Sequence, residues 1–591
     1  MRPAFWPSGQ LLTGHARIVA ALLALTVLVT ASESCHRAAG PAKSQARRDV
    51  KPTRGGAIVG SVRAGPASYS RFTARDTGTE LVSELTQASL VRINRVTKEV
   101  EPWLAESWAV ANDGREYTLK LRSGVEFSDG QPFTADDVAF SFMAAYDLKA
   151  DTVLADVMKA NGKPLQVTAA GPHTVIITFP EPFGPGLRLL DSLPIVPRHK
   201  LDAALRTGTF AKAWGLETPV SEVVGLGPFI IGQHVPGQRI VFDRNPHYWR
   251  KAADGTELPY LDRVTLEVVP DQNAELLRLD AGQDDFINGE VTPEAYALVK
   301  RAADEGRVVL HDLGVAYQAD WFWFNLKPGA FGADKRAAWL QRDELRRAIS
   351  LAVDRKLFAD TVFFGAGEPV YGPETPANHK WYWAGYPKTP HDPAAAKAEL
   401  ASIGLEDRAH DGAGILTDAA GGPARFTLIT QMGRPRLERG ASVIREELRK
   451  IGLAVDVVTL EGRAVIQRIV SGQYEAALFS PQPTDTDPGG NQDLWFSSGS
   501  FHVWNPSQPR PATDWERRID ELMTRQVGSR DEPERKRLYD QIQQIFSEHQ
   551  PILYFVAPRW FVAVSSRMVN VTPAIDLVPV LWSSDTLAVV H

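Results

Sequence analysis

The chain has 591 residues, 44% of them hydrophobic and 23% charged, which is the composition of a folded protein with room for about three or four structural units. Sixty-five Lys and Arg against 71 Asp and Glu leave a net charge of −6, so neither bulk disorder nor a nucleic-acid-binding surface is indicated. A single cysteine, Cys35, excludes an internal disulfide framework and a cysteine-based structural zinc site.

Arg2 and Arg17 precede an apolar run, Ile18 to Ala31, that would reach only about 21 Å as a helix. That falls short of a ~30 Å hydrocarbon layer, and the basic flank, short apolar stretch and small-residue end match a secretory signal over residues 1–34. No later stretch has the ~18 uninterrupted apolar residues of a membrane-spanning helix. Cys35 follows Ser32-Glu33-Ser34 just past that run. A cysteine so placed can be acylated and become the first mature residue, anchoring the chain to a membrane; cleavage near Ala31 would instead leave a free thiol. Ser34 is the small residue acylation needs, whereas Ser32 and Glu33 depart from the usual pattern. The small, polar, basic stretch that follows, with Pro41 and Pro52, reads as a tether over 35–56.

Tyr117, Leu119 and Leu121 alternate with polar residues, the period of a half-buried strand, and Ser128-Asp129-Gly130 marks a turn. Thr134 with Asp137 three residues on predicts a capping box, with Val138, Phe142 and Ala145 on one helical face. Asp392-Pro393 predicts an N-cap and first helical residue, with a stop at Gly404. Phe426–Thr430 and Val455–Leu460 flank a helical stripe of Leu437, Ala441, Ile444, Leu448 and Ile451 closed by Gly452, so the two strands should be parallel members of a βαβ unit. Leu538, Ile542, Ile545 and Phe546 predict a late amphipathic helix ending before Pro551. The mixture points to α/β lobes.

The stretch from Glu101 to Phe142, EPWLAESWAVANDGREYTLKLRSGVEFSDGQPFTADDVAFSF, resembles the signature region of the family 5 extracytoplasmic solute-binding proteins, the peptide receptors of bacterial ABC importers. Val224-Gly-Leu-Gly-Pro-Phe229 resembles the family's G-T-G-P-Y turn, and Arg244-Asn-Pro-His-Tyr-Trp249 and Leu258-Pro-Tyr-Leu-Asp262 follow in order. So do Leu279-Asp-Ala-Gly282, Trp321-Phe-Trp-Phe-Asn325, the helix from Leu345 to Arg355, Gly472-Gln-Tyr474, Asp487-Pro488 and Leu581-Trp582. The resemblance runs from about residue 57 to the end. Within that run, Leu345, Ala348, Ile349 and Ala352 read as a buried stripe with Arg346 and Arg347 outward, Asp354 as the cap of the next helix and Gly365 as its stop.

The resemblance implies a two-lobed, periplasmic-binding-protein-like α/β fold of type II with an extra inserted subdomain and the ligand cleft between the lobes. Lobe I would span 57–314 with the insertion near 80–200, lobe II 315–550, and 551–591 would return to lobe I. It implies a monomer that captures peptides outside the cytoplasm and delivers them to permease subunits with their ATPases, breaking no bond and using no cofactor. Peptide-binding relatives place an amine-binding Asp just before a Pro in the segment matching Thr484-Asp-Thr-Asp-Pro488, so Asp485 and then Asp487 are candidates; the strict register falls on Thr484. The alternative for both is a loop cap or turn. Arg434-Pro435 matches an Arg-Pro whose Arg meets the ligand carboxylate, with a solvated loop Arg as the alternative. Trp321 and Trp323 share one face of a strand, and Phe322 and Phe324 the other; one face should pack into the core while the other can line the cleft, and Asn325 ends the strand. Trp495 and Trp504 lie in a Gly/Ser-rich stretch where a ring is expected to be more accessible, although packing is the more frequent role for all four Trp residues.

His311, His410 and His502 stand singly, and no His pair with metal-ligand spacing occurs, so no metal site is expected. Asp136-Asp137 sits in a fold motif, and no nucleophile elbow, phosphate loop or dinucleotide fingerprint is present, so no catalytic residue is assigned. A non-peptide solute (oligosaccharide, opine or metal chelate) or a sensor role on the same scaffold is the alternative function.

Overall fold

The computed structural model describes residues 52–111, 113–408, 414–481 and 486–590. The expected signal segment, Cys35, Thr484, Asp485 and His410 lie outside the described residues.

In the strand Glu116–Leu121 the alternation holds: Tyr117, Leu119 and Leu121 are buried and the residues between them exposed. It belongs to a four-stranded antiparallel sheet ordered Ala105–Val110, Glu116–Leu121, Thr174–Thr178, Gln166–Ala169. The helix Ala135–Tyr146 packs on this sheet, and the Asp137 carboxylate accepts from the Thr134 N–H at 2.9 Å as the capping box requires. Asp137 also accepts from the Arg198 N–H at 3.0 Å, while Asp136 faces solvent beside the Arg198 guanidinium.

Two larger sheets carry the rest. The first has eight strands, ordered Phe229–Val235, Arg239–Arg244, Arg263–Val268, Ala57–Val62, Phe286–Ile287, Val556–Ser565, Val308–Val315, with Gly367–Pro369 also paired to Val556–Ser565. Ala57–Val62 is parallel to both of its neighbours. The second has five strands, ordered Ala454–Leu460, Arg425–Gln431, Ala476–Phe479, Trp321–Phe324, Ile552–Tyr554. Its first two strands are the parallel pair expected of the βαβ unit, with the helix Pro435–Lys450 between them. Leu437, Ala441, Ile444, Leu448 and Ile451 are all buried, and Gly452 closes the helix with φ +90°.

Close backbone approach explains the Gly225-Leu-Gly-Pro turn. A Cβ on Gly225 would lie 1.9 Å from the Thr86 carbonyl oxygen, and one on Gly227 2.6 Å from that of Leu85, so the end of the helix Thr77–Thr86 can rest on the turn only if both positions lack side chains.

The chain crosses between the two large sheets at neighbouring places. Val308–Val315 pairs with Val556–Ser565 in the first sheet, and Trp321–Phe324 pairs with Ile552–Tyr554 in the second. A register shift between Asp312 and Val315, with Gly314 at φ +84°, bends the outgoing strand at the point of departure. Phe555, buried between Ile552–Tyr554 and Val556–Ser565, is the return, so the chain stays in the second sheet past residue 551. Trp321 and Trp323 pack into one hydrophobic cluster, shared with the helices Asp514–Gly528 and Glu532–His549. Phe322 and Phe324 pack into another, formed under the βαβ unit. All four rings are buried.

Arg346 corrects the outward reading of its helix. It is 1% exposed, and its guanidinium donates to the His549 carbonyl at 2.9 and 3.0 Å, to the carbonyls of Gln341 and Arg342 at 3.1 and 3.2 Å, and to Asp343. Its planar fork satisfies the carbonyl that ends the helix Glu532–His549, which has no intrahelical donor. Burial pushes its pKa down to about 10, opposed by Asp343. Arg347 stays at the surface with Glu399 at 3.1 Å. Replacing Arg346 by Leu strands these carbonyls, so chemical denaturation should show a loss of about 3 kcal/mol, against less than about 0.5 kcal/mol for Arg347→Leu.

Candidate functional site

Two of the places where side chains from before the first crossing meet side chains of residues 321–550 bear on a ligand site. One is a pocket lined by Lys98 and Arg188 on one side and by Asn378, Lys380, Trp381 and Asp487 on the other. The Lys98 ammonium stands 4.7 Å from the Tyr317 ring centre, and Arg188 donates to the Lys98 carbonyl at 2.5 Å. Lys380 pairs with Glu532 at 2.7 Å. Lys98, Arg188 and Lys380 thus stand around one opening, with Glu99, Glu532 and Asp487 among the carboxylates beside them.

Beneath it, a buried polar network holds the segment after the undescribed residues 482–485. Asp487 caps the turn Pro488–Gly490 through the Gly489 N–H at 2.8 Å. Its carboxylate takes both arms of the Arg535 fork, at 2.6 and 2.9 Å, and both side chains are buried. Arg535 in turn lies 5.0 Å from the Trp381 ring centre and donates to the Gln526 carbonyl. Asn378 uses its two N–H groups on the Thr486 carbonyl at 2.9 Å and on Glu374 at 2.7 Å, and Tyr539 donates to the other Glu374 oxygen at 2.7 Å. Burial pushes Glu374 up to about 7; the Tyr539 and Asn378 hydrogen bonds pull the other way and Asp487 adds to the rise.

The second meeting place joins the segment before the helix Tyr296–Asp304 to the helix Pro435–Lys450. Arg439 donates to Glu294 at 2.5 Å, and Arg436 donates to Asp320 at 2.9 Å and to the Ser480 hydroxyl at 2.8 Å. Burial pushes Glu290 up, with Arg436 opposing.

Of the residues singled out in the sequence, Asp487 reaches the first pocket, in a buried ion pair. Arg434 is the exposed N-cap residue of its helix, while Arg436, two positions on, turns inward. Trp321 and Trp323 are 4% and 1% exposed; Trp321 faces Phe501 with ring centres 5.8 Å apart, and the Trp323 indole donates to Tyr474 at 3.1 Å. Asn325 is engaged with backbone: its amide donates to the carbonyls of Gly472 and Tyr474, and its oxygen accepts from the Lys327 N–H. The expected accessibility of Trp495 and Trp504 is overturned, at 2% and 1% exposure. Trp495 packs edge-on against Tyr539 and Phe546, and the Trp504 indole donates to Glu516 at 3.2 Å. His502 is buried beside Trp504 with Glu516 at 3.2 Å. Among the described residues no group of three or more His, Cys, Asp or Glu could hold a metal ion, and no helix is long and apolar enough to cross a membrane. Sequence reasoning missed Lys98, Arg188 and Arg436. For Arg436 a signal existed: Pro435 starts the helix, which makes Arg434 the cap and sends Arg436 into the first turn.

The family profile described as bacterial extracellular solute-binding proteins, family 5 Middle, matches residues 99–502. Curated relatives include a probable ABC transporter-binding protein of Deinococcus radiodurans, 28% identical over 83% of this chain and 84% of that one. Heme-binding protein A of Haemophilus influenzae is 27% identical over 92% and 95%. Oligopeptide-binding protein AppA of Bacillus subtilis is 27% identical over 93% and 94%. The solved structure of AppA in complex with a nonapeptide superposes with a TM-score of 0.69 at 25% identity, covering 92% of this chain and all of that one.

The Glu374 site has a pH signature. The folded chain keeps a proton there up to about pH 7, whereas the unfolded chain releases it near the ordinary carboxyl value of 4.5. Its contribution to stability is therefore present below about pH 4.5 and is lost as pH rises through 7. Denaturation midpoints measured from pH 4.5 to 7.5 should fall less steeply in Glu374→Gln than in the wild type; parallel curves would remove this assignment.

Proposed function

We propose, for a chain that belongs to the bacterial extracellular solute-binding proteins of family 5, that its ligand is a peptide held between the two lobes and handed to a membrane permease. The protein is a solute-binding receptor of an ABC importer that works outside the cytoplasm. The observation that carries the peptide reading is the full-length likeness to AppA, whose solved complex holds a nonapeptide. Binding proceeds without bond breaking: ligand contacts from both lobes favour a closed arrangement about the two crossings, and the permease recognises that arrangement.

In this reading the extended ligand lies between the two halves, with Asp485 taking the peptide amine. Asp487 holds the loop through Arg535 rather than touching ligand, since its carboxylate is already committed to the Arg535 fork. The ligand carboxylate has Lys98, Arg188 and Arg434 as candidate partners. Trp321, beside the half-exposed Phe501, is the best placed of the four tryptophans to contact a ligand side chain. Asp485→Ala should weaken peptide binding by more than tenfold in calorimetric titration, while Asp136→Ala should leave it unchanged and alter stability only. Equal peptide affinity in wild type and Asp485→Ala would remove the amine assignment.

A second reading, a non-peptide solute such as an oligosaccharide, an opine or a metal chelate, is favoured by Thr484, which occupies the strict register of the relatives' amine-binding Asp. A di- to nonapeptide panel that leaves the melting temperature unmoved would transfer the assignment to this reading.

Residues 1–34 act as an export signal, and Cys35 carries a lipid anchor that keeps the receptor at the membrane as a monomer. Cys35→Ser should abolish palmitate labelling and shift the protein from the membrane fraction to the soluble one. An unlabelled, soluble wild type would point to cleavage near Ala31 instead.

A further inference from the structure

A separate cavity lies apart from both interlobe contacts. It is walled by the C-terminal part of the helix Thr77–Thr86 with Gln87, by Trp103 and Tyr248, and by Trp582 near the end of the chain. Its empty volume is about 600 Å³ with the open, solvent-filled mouth counted, and about 50 Å³ of it is room for the centre of a water-sized molecule, so it suits a compact ligand of a few heavy atoms.

Most charged groups facing it are committed. Arg71 pairs with Glu80 at 2.8 Å, Arg92 with Glu101 at 3.0 Å, and Arg95 with Asp191 at 2.9 Å and Asp576 at 3.5 Å. Asp585 accepts from the Tyr248 hydroxyl at 2.9 Å and from Arg250. Trp103 and Trp582 already carry the Arg92 guanidinium, 3.9 and 5.2 Å from their ring centres, so toward a ligand they supply wall rather than a vacant π face.

Two acceptors break the pattern. The Gln87 side-chain oxygen is buried without a partner among the described residues, although the residue is only 7% exposed. Its amide orientation follows from the neighbouring bonds: the Thr86 hydroxyl donates to the Val82 carbonyl at 2.7 Å, which leaves the Thr86 oxygen to accept from the Gln87 NH₂ at 3.4 Å. The second acceptor is Glu84, three residues earlier and so on the same helical face, which lines the same cavity. Burial pushes Glu84 up to about 7, and Asp191 and Asp576 add to the rise against the pull of Arg95 and Arg92. Both acceptors stand at a helix C-terminal end, where the backbone field favours a cation. One donor completes the set, for the Arg92 Nε–H is also buried without an acceptor among the described residues.

We propose that this cavity is a second ligand site, for a small primary ammonium compound, with the ammonium held by the Glu84 carboxylate and the Gln87 carbonyl oxygen and a hydroxyl or carboxylate of the same molecule accepting from Arg92. An unpaired buried acceptor costs free energy that a donor-bearing ligand recovers, and three N–H bonds of an ammonium suit two acceptors on one face.

Ethanolamine is the probe and ethylene glycol its uncharged counterpart, titrated into the full chain by calorimetry with tryptophan fluorescence as a second readout. Ethanolamine should bind saturably at one site and ethylene glycol should not. Glu84→Gln should weaken ethanolamine at least tenfold and Gln87→Leu at least threefold, while peptide affinity stays at the wild-type value. Affinity should rise from pH 6 to 8 as Glu84 ionises among Arg92, Arg95, Asp191 and Asp576, and this rise should vanish in Glu84→Gln. If Glu84→Gln fails to fold, Gln87→Leu carries the test. No saturable binding by the wild type, or unchanged affinity in the folded variants, overturns the site. Displacement of ethanolamine by peptide also overturns it, by moving the ammonium to the interlobe pocket. A wild type that binds ethanolamine but no peptide would instead overturn the peptide reading alone.

Discussion

The two large sheets are joined by chain segments that pair with each other on both sides of the crossing. Ala316 donates to the Pro558 carbonyl at 2.8 Å, Val315 faces Arg559 in one sheet, and Trp321 faces Tyr554 in the other. Phe555 seals the return strand, and Val370 ties a third segment to it by donating to the Phe555 carbonyl at 3.0 Å. Extended segments paired only briefly can absorb changes in φ and ψ that packed helices cannot. This junction is where the two sheets are joined, and the two meeting places join residues on either side of the first crossing.

Ion pairs near the junction divide by burial. Asp487–Arg535 is dry and bidentate, so either partner without the other would be an uncompensated buried charge, and the pair specifies one position for the Thr486–Pro488 segment. Arg439–Glu294 is partly solvated and spans the two halves, so water can replace it at little cost when they separate. The first pair fixes a loop and the second is a partly solvated contact across the two halves.

Local elements were legible because their causes are local. The Thr134–Asp137 box, the Asp392-Pro393 start and the Gly452 stop each rest on residues within one turn, and the parallel pair around Pro435–Lys450 follows from the connection between its strands. Side chains that act over long separations were not. Arg346 reads as a surface residue on its own helix because the carbonyl it satisfies belongs to His549. Trp495 and Trp504 read as accessible because their partners Tyr539, Phe546 and Glu516 come later in the chain.

For this protein the sequence by itself determined the α/β character, the capped and stopped elements, the ordered blocks that mark its family and hence its class of function, since each depends on residue types at short, regular spacing. Only the tertiary structure decided that Asp487 belongs to Arg535, that Arg436 rather than Arg434 turns inward, and that Glu84 and Gln87 share a cavity with Trp582. Those outcomes depend on which distant groups a buried charge or an unpaired acceptor meets, and in a low-dielectric interior that partner, not the residue's own type, sets its energy and its role.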